Sequence, residues 1–127
     1  VVYGPAASFD QPVVGVKTVT IRGNAALQGL TVAVQLEPYA RVTDPASAST
    51  CVARSGFLIC NASDETAVGP TLSFAPGDTP QTITLSSDVL AQAINQGRVW
   101  LGLRVLSGSG SNLTFELRTL SASVTLF

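Results

Sequence analysis

The chain contains no histidine and no methionine, a single lysine, a single tryptophan and two cysteines among its 127 residues. Without imidazole there is no ordinary Ser-His-Asp or Cys-His arrangement, no histidine zinc triad and no imidazole general base, which removes many hydrolase mechanisms. Charge is scarce too: 12% of residues carry it, against about a quarter in an average domain. The net charge of −1 and the scatter of basic residues from Lys17 to Arg118 give no field to draw nucleic acid or an anionic surface. No nucleic-acid partner is expected. No apolar run approaches the roughly 18 residues of a membrane helix, so no membrane insertion is expected either. The start, Val1-Val2-Tyr3-Gly4-Pro5, has neither Met nor a charged signal-peptide region, as in a mature, trimmed or excised chain. Six arginines to one lysine, with no methionine, fit a hot or oxidising habitat.

Catalytic patterns are missing as well. Glu37, Glu65, Asp78 and Glu116 form no pattern beyond solvated loops and strand faces, so a paired-carboxylate glycosidase is not expected. Glycine occurs singly or as Gly108-Ser109-Gly110 with no lysine following, which leaves a phosphate cradle unsupported. Asp44, Asp64, Glu65 and Asp78 could hold Ca²⁺ only if their loops met at one end of the domain; scattered solvated acids are the simpler account. The chain reads as no enzyme, with no cofactor and no metal.

What is present points to one all-β domain. The length suits a single core, and the mean hydropathy of +0.38 with so little charge requires an unusual surface. Either a Ser/Thr/Gly/Asn skin covers it or neighbouring subunits do. Period-2 alternation, the mark of half-buried strands, recurs along the chain. Leu30, Val32, Val34 and Leu36 share one face of the clearest core strand, over 30–37; Val19 and Ile21 lie on an earlier one ending near Gly23-Asn24; Leu72 with Phe74 and Ile83 with Leu85 mark two more. One helix is expected over 87–96, with Ser86 or Ser87 as cap, Gly97 as stop and Val89, Leu90, Ala93 and Ile94 as its apolar stripe. It should carry the chain from one sheet to the other. A final hairpin is expected between Val99–Val105 and Leu113–Leu117, with Val99, Leu101, Leu103 and Val105 inward alongside Leu113, Phe115 and Leu117. Beyond Leu117 the apolar phase slips by one, to Leu120, Ala122, Val124 and Leu126, which predicts a β-bulge near Arg118-Thr119 where the last strand turns a sandwich corner. Seven or eight short strands and one helix give an antiparallel two-sheet β-sandwich, immunoglobulin-like or, alternatively, a jelly roll. Residues 17–127 make the sandwich, and residues 1–16 an N-terminal extended arm or first strand.

Between Cys51 and Cys60 two β-favouring runs flank Ser55-Gly56, a two-residue hairpin turn. Counting outward pairs Arg54 with Phe57, Ala53 with Leu58, Val52 with Ile59 and Cys51 with Cys60, at a non-hydrogen-bonded rung close enough for a disulfide. Two buried thiols are the alternative; two cysteines without histidine do not complete a zinc site. A persistent disulfide implies an extracellular or cell-surface location in most organisms. Asn61-Ala62-Ser63 and Asn112-Leu113-Thr114 match the N-glycosylation pattern at loop-like positions.

The segment Thr71–Leu85, with Phe74-Ala75-Pro76-Gly77-Asp78-Thr79 at its centre, resembles the F-x-P-G-[DE]-T turn of Calx-β and related immunoglobulin-like extracellular domains. The resemblance covers about fifteen residues and implies a repeat-type extracellular sandwich. It does not bring calcium with it, because the family's acidic cluster is replaced by Ser86–Gly97, whose only acid is Asp88.

Trp100 alternates away from Val99, Leu101, Leu103 and Val105. An outward tryptophan is a sugar-stacking platform, an intersubunit anchor, or a residue covered by a loop of its own chain. Arg104 and Glu116 would share that face as a cross-strand ion pair of the final hairpin, and ordinary surface pairing is the plain account of them. Val1, Tyr3, Phe9, Val13, Val14 and Val16 need cover, either from the chain's own sheet or from a neighbour that takes the arm as a donated strand. The leading expectation is a structural subunit of a surface filament, surface layer or stalk, with copies of itself as partner. The alternatives are a module binding glycans or a surface receptor through Trp100, and a virion surface or decoration protein.

Overall fold

The computed structural model describes residues 1–77, 80–108 and 114–127. It is an antiparallel two-sheet β-sandwich with one helix. The strands are β1 (Val2–Tyr3), β2 (Ala7–Ser8), β3 (Val16–Gln28), β4 (Val34–Arg41), β5 (Cys51–Arg54), β6 (Phe57–Cys60), β7 (Thr66–Ala67), β8 (Leu72–Phe74), β9 (Gln81–Ser86), β10 (Arg98–Ser107) and β11 (Thr114–Leu126). The larger sheet runs β5-β6-β1-β10-β4-β7, with β2 also on β10 and β8 on β4; the smaller runs β11-β3-β9. Val16, Val19, Val34, Leu36, Leu72, Phe74, Ile83 and Leu85 are buried between the sheets, where alternation places them.

The helix α1 (Asp88–Gln96) links β9 of the small sheet to β10 of the large one. Ser87 caps its start by accepting from the Leu90 N–H, and Gly97 ends it in the left-handed region at φ 77°, a conformation that costs a side-chain-bearing residue more. Leu90, Ala91 and Ala93 are buried, with Val89 and Ile94 partly so. Asn95 holds the start of β3, its Oδ1 accepting from Val16 N at 2.8 Å and its Nδ2 donating to Val16 O at 2.9 Å.

Five sequence expectations are corrected. The core strand expected over 30–37 is β4, displaced to 34–41. β3 runs on past Gly23-Asn24 to Gln28 and Gly29 turns at φ 87°, so residues 30–33 are spent crossing between sheets, and Val32 is exposed. The final hairpin does not form: β10 pairs with β4, β1 and β2, whereas β11 pairs with β3. The bulge is real, since Arg118 faces Asn24 and Ser121 faces Arg22 with Thr119 at φ 56°, but β11 stays on β3 across it and turns no corner. Val105, expected inside, is exposed. Leu113 lies outside the described residues.

Candidate interaction surfaces

The Cys51–Cys60 hairpin forms in the register counted from its turn, with Arg54 opposite Phe57 and the cysteines opposite each other. Ser55 and Gly56 both take positive φ, 51° and 82°, the two-residue turn whose twist matches the flanking strands. The two cysteines are joined as a disulfide with Cα atoms 4.1 Å apart.

That disulfide roofs a second, smaller core on the outer face of the large sheet. Tyr3, Tyr39, Cys60 and Trp100 are buried there, with Val1, Ala6, Cys51 and Leu58 packed around them. Alternation puts Trp100 on this face as expected, but Trp100 is only 5% exposed. Its own chain covers it, and the Arg98 guanidinium sits 4.4 Å from the ring centroid, a cation–π contact. Trp100 and Tyr3 therefore lie inside the protein and present no ring to a sugar or a subunit. Gly102 makes the packing possible: a Cβ there would lie 2.7 Å from the Tyr3 ring.

Beside the disulfide lies a carboxylate almost wholly covered. Glu65, its side chain 1% exposed, accepts 2.8 and 3.0 Å bonds from Arg41 Nη1 and a 2.7 Å bond from the Tyr3 hydroxyl. Burial first, and the adjacent carboxylate second, hold the Tyr3 phenol far above its ordinary pKa. Tyr39 is pushed the same way by its hydrogen bond to Glu37 and by burial. Glu65 also lies with both sulfurs within a metal-sized radius of 4.8 Å. The sulfurs are bonded to each other, so they offer no thiolate. This cluster has every partner it needs and leaves no acid, base or nucleophile free for chemistry.

The other candidates separate. Arg104 does not meet Glu116. It faces Glu37 across the β10–β4 ladder at 4.0 Å, while Glu116 pairs with Arg118 on its own strand, because the two strands belong to different sheets. Val2 and Tyr3 of the N-terminal stretch sit as β1 between β6 and β10, and Phe9 N donates to Gly97 O at 2.9 Å. Phe9, Val13 and Val14 are exposed, Val13 completely so. Asn61 is exposed and caps a short 3-10 turn, accepting from Ser63 N at 3.4 Å. Asn112 and Asp78 lie outside the described residues. Asp44 caps another such turn through Ala46 N, well occupied without a cation. The segment 71–85 links β8 in the large sheet to β9 in the small one.

The two sides of the sandwich differ in a way that composition did not reveal. On the β9 side the sheets are stitched together: Val68 N donates to Pro38 O of β4 at 2.9 Å, and Val68 O accepts from Ser86 N of β9 at 2.8 Å. Gln81 reaches from β9 to Ser73 O of β8. Along β11 no hydrogen bond reaches β10 or β1 among the described residues. Between Leu101 and Leu103 on one sheet and Phe115 and Leu117 on the other lies an apolar cleft of about 110 Å³.

Beyond that cleft apolar side chains are uncovered. Val124 stands opposite buried Val19 and Leu126 opposite buried Val16, so they share the core-facing side of the small sheet. Yet Leu120, Val124 and Leu126 are 54%, 45% and 54% exposed. The large sheet shows a similar row, Val2, Ile59 and Val52, cross-strand neighbours on the face of Leu103 and all exposed. Sequence reasoning missed both rows because it treated an inward-pointing side chain as a covered one.

No protein-family model, curated protein or solved structure matches the chain. What the surfaces can do is therefore read from their chemistry. Among the described residues no helix is long and apolar enough to cross a membrane.

Proposed function

We propose that the protein is a non-catalytic structural subunit of an extracellular or cell-surface assembly, associating with copies of itself through sheet edges and apolar faces. The observation that carries this reading is the pair of uncovered apolar rows on a chain with 12% charge. Exposed apolar surface contiguous with a core is the kind that subunit contacts bury. The disulfide supports the location, since such bonds persist outside the reducing cytosol. Val13 and Val14, the exposed apolar pair of the N-terminal stretch, are the piece offered to a neighbour as a donated strand. Recognition of a glycan through Trp100 loses its support with the ring buried.

The test is sedimentation velocity and negative-stain electron microscopy of the non-reduced protein across a range of concentrations. Ordered, concentration-dependent oligomers are expected, and compact monomers throughout overturn the reading. Deleting Val1–Pro12 would also pull Tyr3 from the small core, so the arm is probed with a Val13→Asp, Val14→Asp double variant. Loss of the larger species there identifies the arm as a donated strand; their retention assigns assembly to the sheet edges.

A further inference from the structure

The smaller sheet is flanked by β9, six residues long and tied to its neighbours, and by β11, thirteen residues long and, among the described residues, paired on one side only. A free edge offers a row of unpaired N–H and C=O groups to any strand that can lie beside it. Natural edges are usually blunted by lysine, proline or inward charge. β11 has a bulge at Thr119-Leu120 and the Glu116–Arg118 pair before it. After the bulge, Ser121-Ala122-Ser123-Val124-Thr125-Leu126 carries no charge and no proline. This unguarded stretch is also where the core-facing side of the sheet lies open. One added strand would satisfy the backbone edge and cover the exposed leucine and valine side chains together.

We infer that the partner at this edge is the β11 strand of a second copy, paired antiparallel about a twofold axis at Ser123. The inference rests on the self-association proposed above and names its surface. The strand is complementary to itself in this arrangement. Setting Ser123 opposite its mate places Val124 opposite Ala122, Thr125 opposite Ser121 and Leu126 opposite Leu120. Since side-chain direction has a period of two, the apolar residues of both copies fall on one face and the hydroxyl residues on the other. No like charges meet, because the stretch has none, whereas like charges directly opposite weaken a strand pair. The open side of the sandwich leaves room, as Leu120, Val124 and Leu126 are each about half exposed. Two three-stranded sheets then become one of six strands in the order β9-β3-β11-β11-β3-β9. Such a twofold contact closes on itself, so growth past a dimer uses a different surface.

The experiment uses the full chain in three versions. Ser123→Cys adds the sole free thiol, because Cys51 and Cys60 are bonded to each other; mild oxidation is expected to give a covalent dimer rapidly, since twofold mates lie within disulfide reach. Ala53→Cys, on the edge strand of the larger sheet, is expected to cross-link far more slowly. Val124→Lys is expected to raise the dimer dissociation constant on the order of 100-fold, as each dimer loses two covered valines, with buried Trp100 fluorescence reporting an intact fold. Leu126→Glu serves the same purpose if the lysine variant does not fold. Dimers that resist both substitutions and cross-link through Ala53→Cys overturn the β11 assignment while leaving self-association standing. A wild-type chain that is monomeric at every concentration overturns both and assigns the edge to some other cover.

Discussion

β10 and β11 look alike as sequences and live differently. Val99, Leu101, Leu103 and Val105 recur at every second position of β10, as do Phe115 and Leu117 and, after a one-residue slip, Leu120, Ala122, Val124 and Leu126 of β11. β10 is central in its sheet, with β4 on one side and β1 and β2 on the other, and Val99 and Trp100 are buried on its opposite faces. β11 has β3 on one side and, among the described residues, no strand on the other, and from Arg118 to Phe127 every residue is exposed. The period of a strand tells which residues share a face. Whether a face is covered depends on partners far away in the chain.

Substitutions that empty one strand and spare the other measure that difference. Trp100→Ala should cost about 3–5 kcal/mol, the range for deleting a large buried aromatic, seen as a loss of denaturant midpoint in Trp-independent circular dichroism. Reducing the disulfide, or replacing both cysteines by alanine, should remove about 2–3 kcal/mol for so short a loop, because the hairpin that roofs Trp100 is then held by its own few hydrogen bonds. Gly102→Ala should cost about 1–3 kcal/mol through overpacking against the Tyr3 ring, whereas Gly102→Ala combined with Tyr3→Leu should recover part of it. The fourth test is pH. The Tyr3 phenol has its pKa raised by folding, so its contribution is complete below the ordinary tyrosine pKa of about 10 and is lost as pH climbs above it. Melting temperature should therefore fall at alkaline pH in the wild type and less steeply in Tyr3→Phe. Smallest of all, Val124→Ala in dilute, monomeric protein should change stability by no more than about 0.5 kcal/mol. A larger loss would mean that β11 is packed after all, and the contrast with β10 would collapse.

Local features were the legible ones. The Cys51–Cys60 hairpin could be counted rung by rung because its turn, strands and register occupy ten consecutive residues. The helix was equally readable, since Ser87 and Gly97 are signals within one turn of its ends. The β11 partner was not, because β3 lies about a hundred residues earlier, and a Ser/Gly-rich sequence such as 107–112 suits a hairpin and a crossing between sheets equally well. That error carried Glu116 with it, since Arg104 was matched to the wrong strand. Trp100 shows the other limit: alternation gave its face, and only the fold showed that Val1, Ala6 and the disulfide cover it.

The pairing of β3 with β11 ties Val16 to Leu126, so the middle strand of the small sheet waits for nearly the whole chain before it has both neighbours. Domains dominated by such distant pairings fold in milliseconds to seconds rather than microseconds. A chain threaded outward from its ribosome or through a pore would thus hold β3 with one edge unpaired until β11 had emerged. The arrival of β11 beside β3, more than any earlier step, is the event that completes the smaller sheet.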